Sequence, residues 1–367
     1  MTGTTDWAED ALRLVLGRVA ETAAQVGDRF PLYADPDDGR WTTTGRGSWT
    51  GGFWAGLHRL RALHTGTAAD RRAAAEVTAR LAPWAEADTA ARGLVLWYGT
   101  APADGADGAA AALRERAARS VLAAWDPRLG LVPWGAALGG PRLRARADGV
   151  PGLVPLLAAA GPEGRAAAAA HLHRHLDLCL DGRGGGGRPV PAWRLDGPHG
   201  SRAGEADPAP GWTRGESWLL LAVADGLLLA GGDPAWRADR LAAAAEDLLG
   251  SGEFLDGPVV PPAEAGAPGG PPDTSAAAVA AVALLKLARA PGVTGARACA
   301  DRAETVLRGL VDDHLTRPGG DRPAGMLLDG CYDAGTGTAV RHELVWGDYF
   351  LALGLTAVLG RVGLGLV

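Results

Sequence analysis

Three kinds of side chain in this sequence could do chemistry together: a carboxyl group, a guanidinium group and a set of indole rings. Asp148 stands in RARADGVPGLVPLLAAAG, just before an apolar run, where a carboxyl group can transfer a proton or cap a helix. Arg214, in WTRGESW, can form paired hydrogen bonds with a carboxylate, or an ion pair with Glu216. The residue types suit proton transfer on a carboxylated ligand, and capping and a local ion pair stay open as alternatives.

Tryptophan dominates the aromatic residues. The chain has 13 tryptophans but only four phenylalanines and four tyrosines. Indole rings can serve as flat platforms for the C–H faces of sugars, although core packing explains any single one equally well. The candidate platforms are Trp49, Trp54, Trp134, Trp212 and Trp218. Trp54, four residues before His58, is the one that we most expect to lie in the core.

Two long loops stand out between the apolar runs. The glycine-rich segment 181–212 is too long for a routine connection, and its Trp193, Arg194 and His199 favour a loop that lines a site. Within it, the glycine run lacks the Lys-Ser/Thr pair and the preceding strand of a phosphate-binding loop. The proline-rich segment 254–273 is expected to wrap one rim of the fold.

The histidine-rich stretch HLHRH, residues 171–175, is at first sight a metal site. Its spacing puts only His171 and His175 on one helical face, and no acidic third ligand is evident. We therefore expect a solvated helix face, and the sequence predicts no metal or other cofactor. Asp348, in VWGDYF, is expected to anchor the structure rather than to catalyse.

Composition limits the class of protein. The chain has 367 residues and a net charge of −6, which argues against a general nucleic-acid or anionic-membrane binder. Lys286 is the only lysine, which together with the abundance of Ala and Gly indicates a GC-rich genome. Cys179, Cys299 and Cys331 lack metal-ligand spacing and are expected to be reduced and buried. With no apparent leader or membrane span, we expect a soluble cytoplasmic protein.

The elements that position these residues are expected to be helices, because helical periodicity is widespread in the sequence and strand signals are scarce. Glycine and proline separate about twelve helical stretches. They fall near residues 7–25, 49–65, 67–86, 91–98, 107–125, 150–161, 164–180, 213–230, 234–249, 273–289, 293–315 and 343–360. Without a linker of domain scale, this pattern predicts an all-α fold in one domain, residues 1–367. Six helical hairpins closed into a toroid, an (α/α)6 barrel, fit it best.

Four stretches, in this order, resemble motifs of the unsaturated glucuronyl hydrolases, glycoside hydrolase family 88. They are SWTGGFWAGLHRLRALHTG (48–66), WTRGESWLLLAVADGL (212–227), PDTSAAAVAAVALLKL (272–287) and VWGDYFLALGL (345–355). The resemblance extends from about residue 40 to residue 360. It implies the (α/α)6 barrel again, with helix starts at one rim lining a saccharide pocket.

The resemblance also implies a reaction. Members of this family hydrate the vinyl ether of a 4,5-unsaturated uronic acid and so release the neighbouring sugar, and no metal is required. Asp148 matches the family's catalytic aspartate and would be the general acid and base. Arg214 would hold the uronate, His199 resembles a pocket histidine, and Trp49, Trp134, Trp212 and Trp218 would bind the sugar.

One motif departs from the family pattern. The family has a second aspartate in a His-Asp-x-Gly-Phe-like stretch, and the corresponding segment here is TAARGLVLWYG. Gly93 aligns with the family's glycine, so the histidine and aspartate positions fall on Ala90 and Ala91. Asp88, three residues before Ala91, is the candidate to replace that carboxylate.

Three functions are therefore open. The first is hydrolysis of an unsaturated uronic acid or a similar carboxylated sugar. The second keeps the barrel but performs protonation or elimination on a sugar-containing secondary metabolite, which the loss at Ala90 and Ala91 favours. The third is an inactive barrel that binds a saccharide or a partner protein, and it would be favoured if Asp148 only capped a helix. The first two imply a small-molecule ligand and no nucleic-acid or membrane partner.

Overall fold

The computed structural model describes residues 5–101, 107–183, 187–196 and 202–367. This part of the chain is mostly helical. Its α-helices are α1 (Asp6–Val26), α2 (Gly51–Thr65), α3 (Ala68–Ala79), α4 (Tyr98–Thr100), α5 (Gly108–Ala123), α6 (Leu153–Ala158), α7 (Pro162–Cys179), α8 (Thr213–Ala230), α9 (Ala238–Ser251), α10 (Thr274–Leu287), α11 (Ala296–Gly309) and α12 (Val345–Val358). A π-helical turn, Gly93–Trp97, leads into α4. Each predicted helical stretch contains or overlaps one of these helices.

The helices differ in how much of their circumference is buried. Every residue of α10 is buried, and α8 and α12 are buried over nearly their whole length. In contrast, α11 buries a single stripe made of Cys299, Ala303, Val306 and Leu307, the spacing of one helix face. Helices buried on all sides belong to the interior, and helices with one apolar stripe cover it.

The inner helices contact one another in a cyclic order. α2 packs against α12, α12 against α10, α10 against α8 and α8 against α6; α6 packs against the π-helical turn, which returns to α2. Outer helices cover them: α3 packs on α2, α7 on α6, α9 on α8 and α11 on α10. The last inner helix is thus beside the first.

Glycines explain the unusual start of α2, GGFWAG. A Cβ atom on Gly52 would lie 2.3 Å from the carbonyl oxygens of Leu94 and Val95, and a Cβ atom on Gly56 would lie 2.4 Å from the ring of Tyr349. Only glycine at these positions lets α2 approach the π-helical turn and α12 so closely. These glycines are therefore packing residues.

Two small antiparallel sheets correct the prediction of a purely helical fold. The first has the order β2-β1-β7-β6, from β1 (Phe30–Ala34), β2 (Trp41–Thr44), β6 (Gly330–Asp333) and β7 (Thr338–Leu344). The second has the order β3-β4-β5, from β3 (Arg144–Arg146), β4 (Ala192–Arg194) and β5 (Ala203–Gly204). Tyr33 of β1 pairs with Leu344 of β7, and Ala145 of β3 pairs with Trp193 of β4. These strands are short and lie between helices, where helical periodicity gives no sign of them.

Other expectations from the sequence concern burial and membranes. Trp54 is buried and meets the His58 ring edge to face at 4.5 Å, which confirms it as a core residue. The three cysteines are buried and free, as expected. Within the described residues, each helix is too short or too polar to cross a bilayer.

Candidate active site

A cavity of about 510 Å³ collects most of the predicted site residues. Its wall includes Asp148, Arg214, Trp49, Trp134, Trp212 and Trp218. The volume is within the usual range for small-molecule sites. The remaining predicted residue, His199, lies outside the described residues. Residues from distant parts of the sequence thus meet at one cavity, as the sequence analysis requires.

Asp148 lies in a 3₁₀ turn, Ala147–Gly149, which connects β3 to the segment before α6. The carboxylate accepts two hydrogen bonds from Arg146, of 2.9 Å to Oδ1 and 3.1 Å to Oδ2. Gly152 is the N-cap residue of α6, and no side chain caps that helix. The side chain of Asp148 is 17% exposed and lines the cavity. The capping alternative for Asp148 is therefore wrong.

A buried histidine of α7 contacts the turn that carries Asp148. Nδ1 of His171 accepts a hydrogen bond from the backbone N–H of Val132, so Nε2 carries the proton in the neutral ring and faces the Gly149 carbonyl at 3.4 Å. Burial lowers the pKa of His171 well below its usual value, and the neighbouring His175 lowers it further. The neutral imidazole is thus a fixed connection between α7 and the turn that carries Asp148.

The expectation of a solvated face for HLHRH is wrong. His171, His173 and His175 are all buried. His175 is in contact with the carbonyl of His171, and burial lowers the pKa of His175 to about 4. His173 contacts the Trp236 carbonyl at 3.0 Å. The rings contact backbone groups of α7 itself, of the turn that carries Asp148 and of the turn at Trp236, which the sequence spacing alone does not reveal. Within the described chain, no group of three or more His, Cys, Asp or Glu side chains is placed to hold a metal ion.

Arg214 has a different partner from the one that the sequence offered. Its guanidinium forms an ion pair with Asp273 and donates to the carbonyls of Cys331 and Tyr332. Asp273 is fully buried and also caps the start of α10. The alternative, a local pair with Glu216, is not among the described ion pairs of Arg214; Glu216 binds Arg188 at 2.9 Å. The charge of Arg214 is therefore already balanced, and its role as the carboxylate clamp stays a prediction.

The tryptophans contribute unequally to the wall. Trp49 and Trp212 are half-buried, and Trp49 stacks on Tyr332 with ring centroids 6.1 Å apart. Trp134 carries the Arg146 guanidinium 4.8 Å above its ring centroid. Trp218 is only 1% exposed and is chiefly a core residue that reaches the cavity. Trp49 and Trp212 are therefore the better platforms, whereas Trp134 is buried and its ring is covered by Arg146.

The sequence predicts that the position of the family's second aspartate falls on Ala91 and offers Asp88 as its replacement. Ala90 and Ala91 are buried, and Leu94 lines the cavity one turn later. Asp88 is 44% exposed and bound to Arg142 at 3.0 Å, outside the described wall of the cavity. The prediction that Asp88 supplies a second carboxylate to the cavity thus finds no support.

The sequence analysis missed several wall residues. Arg144, Arg146 and Tyr332 belong to strands that helical periodicity does not detect. Three exposed carboxylates, Asp207, Glu264 and Asp333, also belong to the wall. The glycine-containing turn AGTG, residues 334–337, is a hairpin signal that could have pointed to the β6 residue Tyr332.

Known protein structures are similar to this chain over almost its whole length. No family model and no curated protein sequence matches it. The unsaturated glucuronyl hydrolase from Bacillus sp. GL1 is 22% identical, with 96% of each chain covered and a TM-score of 0.80. One specific for heparin is 19% identical, with 98% of this chain and 100% of that one covered and a TM-score of 0.81. One from Streptococcus agalactiae is 17% identical, with 99% and 94% covered and a TM-score of 0.80. The resemblance drawn from the sequence is confirmed: this chain has the fold of the unsaturated glucuronyl hydrolases.

Proposed function

We propose that this protein is a glycoside hydrolase-like enzyme that acts on a 4,5-unsaturated uronic acid. The proposal rests on one observation: in this fold, the carboxylate of Asp148 lines a cavity whose wall includes several tryptophan rings. One similar structure is a variant of the Streptococcus agalactiae enzyme in complex with dGlcA-GalNAc6S. The proposal includes a single-domain (α/α)6 barrel over residues 1–367, which the cyclic contacts of the inner helices support.

The proposed reaction needs one group that gives and then takes a proton. Asp148 donates its proton to C4 of the vinyl ether, and the π electrons form the new C–H bond. Water adds at C5 and returns its proton to Asp148, and the resulting hemiketal opens and releases the neighbouring group. Trp49 and Trp212 would hold the ring. Because these steps need only proton transfer and position, no cofactor is part of the proposal.

A second function is favoured by one observation. Ala90 and Ala91 leave apolar groups where the family motif has histidine and aspartate. A site with a single family carboxylate suits protonation or elimination on a carboxylated sugar-like metabolite, where no second carboxylate has to act. The binding-only alternative is weaker, since Asp148 faces the cavity and does not cap α6.

A turnover assay on a 4,5-unsaturated glucuronyl disaccharide tests the proposal. We expect the ultraviolet absorbance of the conjugated double bond to disappear with the wild-type protein. Asp148→Asn should lower the rate at least about a hundredfold, because the amide cannot transfer the proton. Thermal unfolding of both proteins controls for folding. A folded wild type that leaves the absorbance unchanged would reject the hydrolase proposal in favour of altered chemistry or binding.

A further inference from the structure

Three arginines line the described part of the cavity, and their ion pairs differ in one respect. Arg214 is paired with Asp273, and Arg144 is paired with Glu205 at 2.8 Å. Neither carboxylate belongs to the described wall of the cavity. Arg146 is paired with Asp148, and both members of this pair line the cavity. A ligand in the cavity can therefore compete with Asp148 for the guanidinium of Arg146, because both members of this ion pair are accessible from the cavity.

The geometry of Arg146 suits an anionic ligand. Nε and Nη2 point at the two oxygens of one carboxylate, the fork arrangement that favours arginine over lysine. The guanidinium lies over the ring of Trp134, which fixes its plane. Its backbone belongs to β3 and pairs with Ala192 of β4. At 19% exposure, the side chain is accessible, whereas that of Arg214 is 5% exposed.

Both oxygens of Asp148 are occupied by the Arg146 fork, whereas the proposed reaction needs Asp148 to give a proton. We propose that Arg146 is the binding site for the ligand's carboxylate, and that the ligand replaces Asp148 in the fork. Asp148 then lies beside a second negative charge and without its cation, so it takes up one proton from solvent. Binding of the ligand thus converts Asp148 to the protonated form that the reaction needs. This inference rests on the proposed function and assigns its carboxylate clamp to Arg146 in place of Arg214, whose charge is balanced by Asp273.

Other charged and titratable groups surround the pair. Glu205 and Asp207, from the segment after β5, act electrostatically on Arg146, and both are negative. From α7, His171 contacts the Gly149 carbonyl and His175 is within electrostatic range of Asp148. Both histidines are buried and neutral at physiological pH, because burial lowers their pKa values. The nearest cation for Asp148 is therefore Arg146, and losing it to a ligand leaves carboxylates around the aspartate.

Equilibrium binding tests the exchange without turnover. The probes are a saturated glucuronyl disaccharide, which lacks the reactive double bond, and the same sugar with its carboxylate converted to a carboxamide. Asp148→Asn should bind the carboxylate sugar about tenfold more tightly than the wild type, since its competitor for Arg146 is gone. The carboxamide should bind both proteins equally. Asp148→Asn binding that is no tighter than wild type would overturn the inference.

Arginine variants identify the clamp. Arg146→Gln should lose the preference for carboxylate over carboxamide, and Arg146→Lys should keep part of it, because lysine retains the charge but not the fork. Arg142→Gln is the matched control: it removes an exposed arginine four residues away, outside the cavity wall, and should bind both sugars as the wild type does. A preference that survives in Arg146→Gln would overturn the inference.

The pH dependence gives an independent readout. If binding takes up one proton, the dissociation constant of the carboxylate sugar should rise by up to about tenfold per pH unit in the wild type, and this slope should vanish in Asp148→Asn. Turnover of the unsaturated disaccharide with none of these binding shifts would retain the proposed function and reject the exchange. Binding shifts without turnover would reject the hydrolase. No binding of either sugar would reject the exchange.

Discussion

At the scale of single residues, the candidate acid depends on a side chain that the sequence places in another role. His171 looks like part of a solvated histidine stretch, but it lies beneath the turn that carries Asp148. Its two ring nitrogens connect the N–H of Val132 with the carbonyl of Gly149. A leucine there would leave two buried backbone groups without partners.

We predict that His171→Leu lowers both stability and activity. Each buried backbone group that loses its partner costs about 1–3 kcal/mol, so the urea midpoint should fall clearly. The turn should also shift, so kcat on the unsaturated disaccharide should fall. The control is His173→Leu, which removes a contact of the same kind to Trp236, away from Asp148. Equal effects of both variants on kcat would show that His171 has no special role in positioning Asp148.

At the scale of elements, the helices could be predicted from local sequence patterns. The strands and the buried ion pairs could not, because they join residues that are distant in sequence. The bounds of α8 agree with the predicted stretch at both ends, because apolar periodicity and flanking glycines are local signals. Asp148 and the indoles of the cavity wall were also foreseen, through motif resemblance. Arg146 was missed because it ends a three-residue strand whose partner, β4, lies almost 50 residues later. The pairing of Arg214 with Asp273 likewise joins residues that are distant in sequence.

The contact between α2 and the π-helical turn gives a prediction for one glycine. Gly52→Ala should destabilise the fold by about 1–3 kcal/mol or more, because its Cβ would overlap the carbonyl oxygens of Leu94 and Val95, and backbone cannot move aside cheaply. Urea unfolding measures the loss. The control is Gly17→Ala in α1, where a Cβ meets nothing within 4 Å and helix propensity should raise stability by up to about 1 kcal/mol. Equal stability of the two variants would contradict this packing.

At the scale of the whole molecule, one buried cluster connects the first and last helices. Arg18 of α1 binds Glu343 of β7, with 2.8 Å between Nη2 and Oε2. Asp348 of α12 lies beside Glu343, and the backbone of Leu327 donates a hydrogen bond to it. Two carboxyl groups thus share one guanidinium in the interior, and one of them must carry a proton to avoid an unbalanced charge. Asp348 acts here as the structural anchor that the sequence suggested.

This cluster predicts how stability depends on pH. Burial, and then the negative charge of Glu343, raise the pKa of Asp348 well above its usual value. The folded chain therefore holds this proton more tightly than the unfolded chain does, so the contribution of Asp348 to stability is complete below about pH 4 and is lost as pH rises through the raised pKa. Asp348→Asn keeps a donor next to Glu343 but cannot ionise. In thermal unfolding between pH 5 and pH 9, the wild type should lose stability relative to this variant as pH rises. A difference in melting temperature that stays constant over that range would mean that Asp348 does not hold the proton, and that Glu343, which is buried beside it, holds it instead.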